Sequence, residues 1–183
     1  MTVDYGVLAH LIGTFRGDKG IDIAPDMDGS EENLFEETLT FLEAGYVTNA
    51  EEQKLAVLHY HQIVKRKSDN AVIHNQTGYW MWDKQNDEII QSIAIPRAVC
   101  LLAKGKAIVD NDKIIIEVKS DIDDKSYGII QSPFMHQKAK TTSFVHTMTI
   151  QGDNLSYKET TMVDIYGKNF EHTDENELIR YID

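Results

Sequence analysis

Segments of strand length, rich in β-branched and aromatic residues, follow one another through nearly the whole chain with only short turn signals between them. The pattern predicts strands near residues 13–23, 33–42, 53–65, 71–82, 88–95, 98–102, 107–109, 113–120, 140–151, 154–163 and 178–182. Asp28-Gly29-Ser30, Ser68-Asp69-Asn70, Lys104-Gly105-Lys106, Asp110-Asn111-Asp112 and Gly152-Asp153-Asn154 are the clearest turns. Val7, Leu8, Leu11 and Ile12 recur at helical spacing and predict a short N-terminal helix. About ten strands joined by hairpins predict an all-β, antiparallel up-and-down β-barrel, because closure removes the edges that a flat sheet this wide would expose. Such a barrel is wider than the eight-stranded case that side chains fill, so a ligand pocket is expected inside it.

The 183 residues form one expected domain, 1–183, with no repeat, low-complexity tract or linker. A net charge of -12 disfavours nucleic acid and anionic membranes as partners. The dense basic run Lys65-Arg66-Lys67 reads as a solvated hairpin tip, and the acidic stretch Asp121 to Asp124 as a solvated loop. A homodimer stays open, since nothing in the sequence fixes the oligomeric state. Cys100, the only cysteine, excludes an intrachain disulfide and fits a reducing cytosol. It lies in the apolar run Val99-Cys100-Leu101-Leu102 and is expected to be buried and inert. Cys-x-x-Cys-His is absent, which rules out covalent c-type haem attachment. The opening Met1-Thr2-Val3-Asp4 has no basic n-region or long apolar stretch, so the expected address is cytoplasmic, without leader or transmembrane helix. No Gly-x-Ser-x-Gly elbow is present, which disfavours a Ser/His/Asp hydrolase.

Two histidine features invite chemistry. His172 follows the strand-rich region, and a neutral imidazole at a barrel mouth is a natural axial ligand for iron, although a lone histidine is more often structural or solvated. His59 and His61 share a strand face; without a third ligand nearby in sequence they read as hydrogen-bonded wall residues rather than as a zinc site.

Three separated segments carry the motifs of one known family. Gly13-Thr14-Phe15-Arg16-Gly17-Asp18-Lys19-Gly20, with Ala24-Pro25-Asp26, resembles the glycine-rich first strand and its aromatic-Pro-Thr end. His74-Asn75-Gln76-Thr77-Gly78-Tyr79-Trp80 resembles a central His-x-x-x-Gly-aromatic strand. Leu155-Ser156-Tyr157 through Met162, then Phe170-Glu171-His172, resembles the Leu-x-Tyr strand, the short loop and the proximal histidine of the nitrobindin family of haem-binding β-barrels, which the three segments together resemble. Ile95-Pro96-Arg97 and His172-Thr173-Asp174-Glu175-Asn176 are similar to a bacterial branch described as fatty-acid-binding-protein-like.

The resemblance implies a lipocalin-like or fatty-acid-binding-protein-like barrel holding a non-covalent b-type haem against a crowded, apolar distal side. It implies His172 as the metal ligand, binding of nitric oxide and isomerisation of peroxynitrite to nitrate. His74 would line the pocket, Arg97 would meet a propionate or a fatty-acid carboxylate, and Asp26 would stand where the family has a threonine close to the haem. Trp80 and Trp82 are expected to pack the barrel. Phe15 replaces the motif tryptophan, and Lys19 and Ile21 interrupt the glycine series. The alternative is an iron-free carrier of a fatty acid or another small apolar molecule.

Overall fold

A computed structural model describes residues 2–182. A 3-10 helix, Gly6–Leu11, leads into β1 (Gly13–Asp26), β2 (Gly29–Asn49), β3 (Gln53–Arg66), β4 (Val72–Asp83), β5 (Glu88–Ile95), β6 (Val99–Asp110) and β7 (Lys113–Asp121). Then come β8 (Ile129–Gln131), helix α1 (Pro133–Lys138), β9 (Ala139–Gln151), β10 (Asn154–Ile165) and β11 (Lys168–Tyr181). Every ladder is antiparallel, and pairing of β5 with β6 closes ten strands into a ring. The short β8 lies beside the start of β6, on the edge that β7 leaves free there.

The barrel has two unlike ends. The 3-10 helix caps one of them: Leu8 and Leu11, three residues apart and so on one face of such a helix, are both fully buried in the core. Phe15, Leu39, Phe41, Leu58 and Trp80 continue that apolar layer upward. Phe15 fills the place of the motif tryptophan, edge-on to Phe41 at 6.2 Å and under the Arg180 guanidinium at 4.5 Å. The β1–β2, β3–β4, β5–β6 and β10–β11 connections ring the other end, the mouth.

Several expectations change in three dimensions. Lys104-Gly105-Lys106 is not a turn. One strand, β6, runs through it and passes from β5 to β7, with Gly105 facing Ile89 on one side and Val118 on the other. A Cβ on Gly105 would overlap the Glu117 carbonyl, so the glycine marks a close backbone approach. Cys100 is exposed, because Val99 and Leu101 take the inward positions of the strand. Helix α1 was not expected, although Ser132-Pro133 carries its signal: the Ser132 Oγ accepts from the Met135 amide at 3.3 Å and Pro133 takes the first turn. The largest gain is in β11, expected only from residue 178, which begins at Lys168 and carries His172 mid-strand.

Candidate functional site

His172 faces the interior near the mouth because β11 alternates. His172, Asp174, Asn176 and Leu178 point inward, and the residues between them point out. Asp22 joins them through a β-bulge in β1. Three residue steps from Gly17 to Gly20 face two from Glu37 to Phe35, so β1 carries one extra residue. The phase of the strand flips there: Phe15 is inside before the bulge, Gly20 and Asp22 after it. A Cβ at Gly20 would overlap the Phe35 ring, so the bulge is seated on a glycine. The flip places Asp22 directly opposite Asp174.

The His172 Nε2–H donates to Asp22 Oδ1 at 2.7 Å, and Asp174 Oδ2 lies 3.5 Å from the same nitrogen. Asn33 Nδ2 donates to the other Asp22 oxygen at 3.1 Å. The His172 and Asp174 side chains keep 31% and 29% exposure, so the cup opens to solvent. Glu159 on β10, opposite Asp174, is buried. Burial pulls the His172 imidazole down, but the Asp22 hydrogen bond and the neighbouring carboxylates outweigh it and raise its pKa.

Beneath the cup the barrel is filled by a polar layer. Glu37 accepts from Gln62 Nε2 (2.8 Å), Tyr157 Oη (2.9 Å) and Asn176 Nδ2 (2.9 Å). A second chain starts at His74, whose Nε2–H donates to Gln76 at 2.7 Å. Gln76 and Gln91 both donate to the Tyr60 hydroxyl, and His146 Nδ1–H donates to Gln91 at 3.2 Å. His146 Nε2 is buried without a partner among the described residues. Burial holds this ring neutral, with its pKa pulled down to about 3.

Burial raises three carboxyl groups, Glu37 to about 7, Asp174 to about 6 and Glu159 to about 8. The native state therefore keeps protons that an unfolded chain has released. Their contribution to stability is complete at low pH and is lost as pH rises through these values; His172, also raised, acts in the same direction. His146 and His74, both lowered chiefly by burial, oppose this only below the ordinary histidine value of 6.5. Between pH 6.5 and 8.5 the ligand-free protein is expected to lose about 2 kcal/mol, at ~1.4 kcal/mol per proton and pH unit. Thermal melts in matched buffers test this; a midpoint that rises across that window refutes it.

The remaining expected site residues sit around this cup. His74 is half-buried, and its pKa is lowered by burial and then by the nearby Arg97 charge. Arg97, in the β5–β6 turn, is exposed and donates to the Ile73 carbonyl at 3.3 Å. Asp26 ends β1, exposed, and accepts from the Met27 amide at 2.7 Å. His59 and His61 point outward and bond to Thr77 and Asn75, both at 2.8 Å. Trp80 is buried in the core and Trp82 is partly buried against it.

The chain matches the family model described as THAP4-like, heme-binding beta-barrel domain over residues 4–180. It belongs to that family. A crystal structure of Rv2717c from M. tuberculosis shares the fold, with a TM-score of 0.72 at 19% identity, over 98% of this chain and all of that one. Comparison with curated proteins gives no match. Haem binding is thus a property of the family, and a small-molecule ligand belongs with the barrel. No described helix is long and apolar enough to cross a membrane.

The residues present fit an axial imidazole. One His172 nitrogen is engaged by a carboxylate and the other has no hydrogen-bond partner among the described residues, the arrangement typical of metal-ligating histidines. The floor departs from the resemblance: it is polar and hydrogen-bonded, not apolar. Clefts of about 550, 680 and 350 Å³ indent the surface elsewhere, and none of the three is lined by His172.

Sequence reasoning missed Asp22 and Glu159, since an acid inside a strand pattern reads as solvent-facing. The signal available for Asp22 was the broken glycine series just before it, which marks the bulge.

Proposed function

We propose that this barrel binds a b-type haem non-covalently at its mouth, with His172 as the axial ligand. The observation that carries the reading is the inward imidazole at the open end of the barrel, held by the Asp22 carboxylate. Asp22 fixes the ring, and Asn33 fixes Asp22. Arg97, at the same rim, is the cation suited to a propionate. The exposed Cys100 has no histidine motif for covalent attachment. Bound haem would supply the Lewis-acid iron on which nitric oxide binding and peroxynitrite isomerisation depend in nitrobindins. The fatty-acid alternative is weaker, because its carboxylate would meet Asp22, Asp174 and Glu159 in the same cup.

Titration with hemin should give a Soret band that saturates at one equivalent. In His172→Ala the affinity should fall by at least roughly 100-fold, beyond the usual cost of losing an outer partner of a metal ligand. A band indifferent to His172, or none, overturns the assignment.

A further inference from the structure

The cup holds more carboxyl groups than an axial imidazole needs. Glu159, Asp174 and Asp22 stand directly opposite one another across β10, β11 and β1. Like charges in such cross-strand pairs are destabilising. No lysine or arginine nitrogen forms an ion pair with any of the three among the described residues; their ion-pair contacts are with histidines. Asp22, His172 and Asp174 each offer a ligand atom, all within 4.8 Å of one another. The His172 nitrogen stands 2.7 Å and 3.5 Å from the two aspartate oxygens. Metal–ligand bonds of about 2.0–2.2 Å set tetrahedral ligand atoms about 3.3–3.6 Å apart, which the 3.5 Å pair matches and the 2.7 Å hydrogen-bonded pair reaches by a shift of under about 1 Å once its proton is displaced.

Glu159 supplies the independent observation. Its side chain is only 10% exposed, and the one polar contact of its carboxyl group among the described residues is the His146 ring. The His146 ring nitrogen at 3.8 Å is too distant and already bonded to Gln91. A buried acid without donors, opposite Asp174 and with the shared His172 as its one nearby positive group, is under-compensated.

We propose that Asp22, His172 and Asp174, with the adjacent Glu159 carboxyl supporting them, form a site for a divalent first-row transition cation of the Zn²⁺, Mn²⁺ or Fe²⁺ class, which the haem-free barrel takes up. One imidazole with several carboxylates suits that class better than Ca²⁺ or Mg²⁺, which take oxygen ligands. The site does not rest on the haem reading. The cation would take the His172 nitrogen that Asp22 holds and so remove the hydrogen bond that orients the ring for haem; cation and haem therefore compete.

The test uses the whole haem-free protein, with Co²⁺ followed by its visible ligand-field bands and Zn²⁺ by calorimetry. One equivalent should bind. Asp174→Asn and Glu159→Gln, near-isosteric changes, should each weaken binding at least roughly tenfold while leaving the near-UV spectrum of the fold unchanged. The same two variants should still give a His172-dependent Soret band, and saturating Zn²⁺ should raise the hemin concentration needed for half-saturation. Absence of one-equivalent binding overturns the proposal. So does binding that survives Asp174→Asn and Glu159→Gln but is lost in His59→Ala, which would place the ion on the outer wall. Cation binding without a Soret band would sink the haem assignment alone, and a Soret band without cation binding would sink only this one.

Discussion

Glu37→Ala is expected to destabilise the protein by about 4 kcal/mol, because each buried polar group left unpaired costs ~1–3 kcal/mol and three are affected. Glu37 is 3% exposed and ties together β2, β3, β10 and β11 through Gln62, Tyr157 and Asn176. Truncation leaves Tyr157 and Asn176 without this acceptor and Gln62 with only its longer 3.3 Å bond to the Tyr157 hydroxyl. Glu37→Gln keeps an acceptor for part of the set and should cost clearly less. Chemical denaturation at pH 6 would measure both. A Glu37→Ala protein as stable as its parent would show that the polar layer is hydrated and not held by this side chain.

Trp80→Ala is expected to cost a similar amount, about 4 kcal/mol, for a different reason: a large buried side chain is lost and a cavity remains. Trp80 is 1% exposed, with the His146 ring 5.6 Å and the Tyr60 ring 6.5 Å away. It stands where the apolar lower half meets the polar upper half. The cavity would open beneath the hydrogen-bonded chain from His74 to His146, so that chain should loosen with it. At ~2–4 °C per kcal/mol for a chain of this size, the melting midpoint should fall by about 8–16 °C. A drop of a degree or two would mean that neighbouring side chains refill the space.

These two substitutions show how the barrel divides its work. Ten strands enclose more space than an apolar core of this chain fills, and the upper half is completed by paired polar side chains. That layer carries the cup floor, so the mouth stays polar and accessible while the capped end stays dry. The expectation of an apolar, crowded space beside His172 fails here. The acids that replace it are what make the cup suited to a positive charge.

Much of this was legible in the residues. Turn chemistry marked most of the hairpins, and β-branched runs marked the strands between them. The number of strands called for closure. The family resemblance pointed to His172, His74 and Arg97, which lie near one another at one end of the barrel. What the residues alone did not disclose was facing. Alternation is read on the premise that apolar positions point inward. In the second half of β1 and in β11 the premise inverts: Asp22 is inside while Ile21 and Ile23 are only partly covered, and His172, Asp174 and Asn176 are inside between outward acids.

Strand content, antiparallel closure and family membership could be read from the residues, because they follow from local propensity, turn chemistry and motifs. Which carboxylates surround His172 depends on how distant strands pair. The bulge at Gly17–Gly20 shifts β1 by one residue, and strand register then brings Asp22, Asp174 and Glu159 side by side from positions up to 152 residues apart. A one-residue phase change turns a side chain to the other face of a sheet. It leaves little trace in composition or periodicity, yet it is what places Asp22 beside His172.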